Sequence, residues 1–76
     1  MDLARLHWAA CRRGMLELDV LFERYIKQRY EQAPKEEQEA FEHLLSCNDQ
    51  DLFNWLIKRE PVDEPQFDAI VQKLLA

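Results

Sequence analysis

The densest group of side chains capable of chemistry lies near the N-terminus, in Arg12-Arg13-Gly14-Met15-Leu16-Glu17. Two adjacent guanidinium groups bring rigid forks of donors, and Glu17 brings a carboxylate acceptor. Gly14 is the only glycine in the chain, and a residue without a side chain lets another backbone approach closely. Trp8 stands one turn before Arg12 and can add an aromatic surface, and Asp19 can extend the polar one. Such a group can orient a macromolecular partner through hydrogen bonds and ion pairs. Each member also has a plainer reading. Gly14 can simply end a helix in the left-handed conformation. Arg13 and Glu17 can form a surface ion pair worth about 0–1 kcal/mol, Trp8 can be ordinary core, and Asp19 can be plainly exposed.

Two other constellations carry weaker chemistry. His7 and Cys11 are four apart, as are His43 and Cys47, so each pair shares a helix face. Together they hold the ligand types of a Cys2His2 zinc site, but no close cysteine pair of the usual finger spacing is present. Small half-buried thiols and ordinary histidines are the better reading, so no metal ligands are expected. Asp49 and Asp51 form a carboxylate pair, but beside Asn48 they fit capping and dipole compensation at a helix start better than acid–base work. No nucleophile–base–orienter set and no glycine-rich phosphate loop is found, so no catalytic residue is assigned.

The chain that must position these residues has 76 of them. At that length roughly 60% of the unfolded surface is buried, enough for one small core but not for a deep private active site. A single domain spanning residues 1–76 is expected. Apolar residues make up 47% and charged residues 33%, with three prolines, which is too apolar for disorder and too poor in turn formers for an all-β fold. No apolar run reaches the ~18 residues of a membrane span, and the start at Met1-Asp2 shows no targeting segment. A cytoplasmic protein that does not insert in membranes is expected. The net charge of −5 argues against a general affinity for nucleic acid. Its distribution is uneven: residues 1–30 hold six basic and four acidic side chains, and residues 31–76 hold four basic and eleven acidic ones. A mildly basic end on an acidic body can orient the molecule on a partner.

Apolar spacing predicts five short helices and no strand, an all-α bundle. The first runs from about Leu3 to Arg12, with Leu3, Leu6 and Ala10 on one side and Trp8 off that line. A longer one runs from about Gly14 to Tyr30, with Leu18, Leu21, Phe22, Tyr25 and Ile26 as its buried stripe. The third starts near Pro34, as a first helical residue, and turns Ala40, Phe41, Leu44 and Leu45 inward. The fourth starts at Asn48, buries Leu52, Phe53, Leu56 and Ile57, and is stopped by Pro61. The fifth buries Phe67, Ile70, Val71, Leu74 and Leu75, with Asp63 as its cap, Gln66 completing a capping box and Val62 stapling onto Phe67.

Two blocks of this sequence resemble a known family. His7-Trp8-Ala9-Ala10-Cys11-Arg12-Arg13-Gly14-Met15-Leu16-Glu17-Leu18-Asp19 is similar to the signature of the SdhE family of FAD assembly factors, whose Arg-Gly-x-x-Glu motif is met by Arg13, Gly14 and Glu17. The second block is Leu44-Leu45-Ser46-Cys47-Asn48-Asp49-Gln50-Asp51-Leu52-Phe53-Asn54-Trp55-Leu56. The resemblance implies a small five-helix fold and a non-enzymatic helper that promotes covalent attachment of FAD to the flavoprotein subunit of succinate dehydrogenase, and of fumarate reductase where present. It implies that Arg13, Gly14 and Glu17 lie on the contact surface, flanked by Trp8 and Arg12. FAD would be handled in the partner, not bound tightly here, and the free helper is expected to be a monomer. Family members have also been described as antitoxin components, so an interaction module unconcerned with flavin is the alternative. Some relatives carry a longer tail beyond the position of Ala76, and its role is not carried over.

Overall fold

The computed structural model describes residues 3–11 and 14–76. Its helices are α1 (Leu3–Ala10), α2 (Leu16–Gln28), α3 (Lys35–Leu44), α4 (Asp49–Leu56) and α5 (Pro65–Leu75), with a 3-10 turn at Tyr30–Gln32 between α2 and α3. No strand occurs among the described residues. The all-α expectation therefore holds, and the apolar stripes explain why. Leu18, Phe22, Tyr25 and Ile26 of α2 meet Phe41 and Leu44 of α3, Leu52 and Leu56 of α4, and Ile70, Val71 and Leu74 of α5 in one core. α2 is the central element: α1, α4 and α5 all pack on it, and α3 packs on α5. The radius of gyration is 11.3 Å, close to the ~11 Å of a fully compact chain this long.

Aromatic rings fill the middle. Phe22 meets Phe41 edge-on at 5.9 Å between centroids, and Tyr25 lies 4.5 Å from Phe41. The polar tips of the tyrosines are satisfied from α3: Tyr25 donates to Glu37 at 2.7 Å and Tyr30 to Glu42 at 2.5 Å. Burial first, and then its bond to Glu42, pushes the Tyr30 hydroxyl up to about 12. Tyr25 is raised for the same kinds of reason, with Glu37 as partner.

Several boundaries differ from the sequence expectation, each for a local reason. α1 ends at Ala10, two residues early, and α2 starts at Leu16 with Met15 as its N-cap, so Gly14 lies in the reversal rather than in the helix. α2 stops at Gln28 because Arg29 leaves helical geometry, and Tyr30 begins the 3-10 turn. Pro34 stands just outside α3 at ψ 154°, its carbonyl accepting from the Gln38 amide at 3.0 Å. The cap of α5 is Glu64, not Asp63, and no side chain caps it. A residue before proline is forced extended, and Pro65 makes that residue Glu64 (φ −117°, ψ 104°). Asn48 caps α4 as expected: its side chain accepts from the Asp51 amide at 2.8 Å and donates back to the Asp51 carboxylate at 3.1 Å. Leu3, counted on the α1 stripe, is exposed, and of Phe53 and Trp55, both read as core rather than as a ligand platform, Trp55 is buried and Phe53 half-buried.

Candidate docking surface at the helix reversal

The reversal between α1 and α2 is built from a short helix end and an unusual backbone. The Cys11 amide closes α1 onto the His7 carbonyl at 2.9 Å, and the Cys11 thiol donates weakly to the Asp19 carbonyl at 3.6 Å, tying the end of α1 to the first turn of α2. Burial first, then the charges of Asp19 and Glu23, raises that thiol's pKa and disfavours the thiolate, and the side chain packs against the core. Gly14 has φ +77°, and a Cβ built there would meet no atom within 4 Å. The left-handed conformation expected of a helix-ending glycine is thus present, and its outer side is open.

Three of the predicted contact residues fall around this turn. Glu17 is exposed in the first turn of α2, where a carboxylate also suits the helix dipole. Trp8 is 63% exposed, which overturns the reading of it as ordinary core: α1 turns Leu6 and Ala10 to α2, and Trp8 falls on the other side. Asp19 is half-buried, and its Oδ1 is buried with no hydrogen-bond partner among the described residues. Arg12 and Arg13 lie outside the described residues. Two apolar residues of the same region escaped the sequence reading: Leu16 is 74% exposed and Val20 57%. Their signal was present, since both fall off the α2 stripe that runs from Leu18 to Ile26.

Among the described residues no group of three or more His, Cys, Asp or Glu side chains is placed to hold a metal. Asp51 is engaged with the Asn48 cap. An open groove of about 840 Å³ runs between α5 and the α4–α5 connection, lined by residues from Trp55 onward and so separate from the Gly14 turn. No helix among the described residues is long and apolar enough to cross a membrane.

Comparison with known proteins agrees with the family resemblance of the sequence. Residues 4–76 match the family model described as the flavinator of succinate dehydrogenase. The chain is 40% identical over 75 residues to the FAD assembly factor SdhE of Idiomarina loihiensis, covering 99% of this chain and 82% of that one. It is 44% identical over 75 residues to the protein of the same name in Colwellia psychrerythraea, covering 99% and 81%. To that of Photorhabdus laumondii it is 46% identical over 68 residues, covering 88% and 76%. A match over nearly the whole chain, on a fold of the expected five helices, places this protein in the succinate dehydrogenase flavinator family.

Proposed function

We propose that this protein is a cytoplasmic assembly factor that promotes covalent attachment of FAD to the flavoprotein subunit of succinate dehydrogenase, and of fumarate reductase where that enzyme is made. The observation that carries this reading is the family match over residues 4–76, together with relatives named FAD assembly factors. The contact surface is the α1–α2 reversal, with the exposed Gly14, Glu17 and Trp8 and the half-buried Asp19, and it would include Arg12 and Arg13 of the same sequence block. The free protein acts as a monomer, holds no cofactor tightly, and meets FAD in its partner.

Attachment requires a histidine of the flavoprotein to be held in line with the flavin 8α carbon while negative charge develops on the isoalloxazine. Positioning of this kind can lower a barrier by about 7–11 kcal/mol. The helper need supply no nucleophile. It binds where the FAD domain and a mobile capping domain of the flavoprotein meet, and favours the attachment-competent arrangement by binding it better than others. Open space at Gly14 and the exposed Glu17 carboxylate suit entry into such a cleft.

The test is complementation of a strain lacking the factor with Gly14→Arg or Glu17→Ala protein, reading covalent flavin on the denatured flavoprotein subunit by in-gel fluorescence. Little or no flavin fluorescence with a folded variant is expected. Full flavinylation by folded Gly14→Arg protein would sink the surface assignment. A pull-down that recovers no flavoprotein subunit with the wild-type chain would favour the antitoxin-like alternative.

A further inference from the structure

Among the described residues the large hydrophobic side chains that remain exposed are Leu3, Trp8, Leu16 and Val20, all within the first twenty positions. From Leu21 onward every large hydrophobic is buried or half-buried. Among the described residues, exposed large hydrophobic side chains are therefore confined to α1 and the start of α2. Val20 is the least expected member. Valine is a weaker helix former than lysine, glutamate or glutamine, and at 57% exposure it contributes little to the core. Neither local propensity nor internal packing accounts for it.

Helix geometry relates these residues to Glu17. With about 100° per residue, Val20 projects about 40° from Leu16 and Glu17 about 100° from it, so all three share one arc, while Leu18 points to the opposite side. Leu18 is fully buried and the other three are exposed. Any partner that covers the Glu17 carboxylate across this arc also covers Val20 and Leu16. The polar groups of the surface give orientation but little energy, because exposed ion pairs are worth about 0–1 kcal/mol each. A specific interface needs an apolar centre inside a polar rim.

We infer that Leu16 and Val20 form an apolar anchor that seats in an apolar depression on the flavoprotein subunit, beside the group that receives Glu17. This rests on the docking surface proposed above and divides its labour: Gly14 and Glu17 set the geometry, and the Leu16–Val20 ridge supplies most of the affinity. The occupant is the flavoprotein because the ridge is continuous with the residues that address it, Leu16 being bonded to Glu17 and two positions from Gly14.

The experiment measures binding of the purified chain to the apo flavoprotein subunit of succinate dehydrogenase, with wild type, Leu16→Ser/Val20→Ser, Leu16→Gln/Val20→Gln and Leu16→Met/Val20→Ile proteins. Both polar pairs are expected to bind about 10- to 100-fold more weakly, by a factor that salt does not change, with wild-type urea midpoints. Their flavinylation rate should recover when the helper is supplied in excess, and the Leu16→Met/Val20→Ile pair should bind like wild type. Wild-type affinity in both polar pairs, with Glu17→Ala still defective in flavinylation, overturns the anchor and leaves the docking surface standing. Polar pairs that convert a wild-type dimer to a monomer without losing flavoprotein affinity assign the ridge to a second copy, which also overturns it. A wild-type chain that neither binds nor promotes flavinylation removes the docking surface and the anchor together.

Discussion

Among the described residues two chain reversals pass through the left-handed region of backbone space, and opposite residue types occupy them. Gly14 joins α1 to α2 at φ +77°, and Arg59 follows α4 at φ +58°. At the second, the Glu60 amide closes the helix onto the Asn54 carbonyl at 2.9 Å, and the Arg59 side chain stays exposed beside the open groove. An arginine thus adopts the kind of conformation that a glycine holds at position 14, at a cost on the order of 1–2 kcal/mol. Positive φ favours glycine at both turns, but Arg59 shows that it does not exclude a side chain. Nor does internal packing, because a Cβ at position 14 meets nothing within 4 Å. Backbone strain of about 1–2 kcal/mol is thus the internal reason for glycine at the first reversal, and the docking surface proposed above would add a second, room for what approaches it.

The comparison is put at most risk by exchanging the two residue types. Gly14→Arg should cut covalent flavin on the partner at least tenfold, while Arg59→Gly should leave it at the wild-type level, both measured by in-gel fluorescence in the complemented strain. Because Arg59 already occupies a similar conformation, the Gly14→Arg protein should still fold, with a stability loss of only about 1–2 kcal/mol. A loss far above that would return Gly14 to a purely internal role.

The next effect separates the outward-facing reversal from the internally satisfied body. Tyr25 and Tyr30 are buried and bonded to α3 carboxylates, and both are harder to ionise folded than unfolded. Above their ordinary value near 10 the unfolded chain releases these protons and the folded chain keeps them, so stability falls as pH rises. For Tyr30 alone, held up at about 12, the loss by pH 11.5 is at most about 2 kcal/mol. Urea midpoints taken between pH 9 and 11.5 should drop steadily, and Tyr30→Phe should flatten the slope. A flat profile in the wild type would mean that the ring hydroxyls are not held as described.

A third reversal, between α3 and α4, is stabilised by a side chain rather than by unusual backbone. Asn48→Ala should remove the bond to the Asp51 amide and cost about 1 kcal/mol in urea denaturation, with flavinylation of the partner unchanged.

How far the sequence revealed this arrangement depends on the range of the interactions involved. The five helices and most of the core were legible, since Leu18, Phe22, Tyr25 and Ile26 keep a helical period however they pack. The Asn48 cap was legible because capping is decided within four residues. The α5 cap was misplaced by one because Pro65 makes its predecessor the extended residue, and that local rule outweighed the Asp63–Gln66 pattern. The early end of α2 was not legible, since it accompanies contacts of Tyr30 with Phe41 and Glu42. At the candidate surface, the motif residues and Trp8 stood out by type, but burial and exposure are set by how α1 lies on α2. That arrangement left Trp8 outside, drew Asp19 partly inward, and exposed Leu16 and Val20.

The smallest effects bear on the comparison most directly, because they differ in sign. Arg59→Gly removes left-handed strain at a turn whose backbone bond from Glu60 to Asn54 is unaffected by side-chain loss. Part of that gain is offset by the greater freedom of glycine in the unfolded chain, which leaves a net stabilisation of up to about 1 kcal/mol. Gly14→Ala introduces the same kind of strain at φ +77° with no clash, and should cost about 1 kcal/mol. Equilibrium urea unfolding of the two variants beside wild type resolves shifts of this size. If both substitutions destabilise, Arg59 makes a contribution that its backbone angle conceals. If Gly14→Ala is neutral while flavinylation still falls, the glycine is kept for its partner alone.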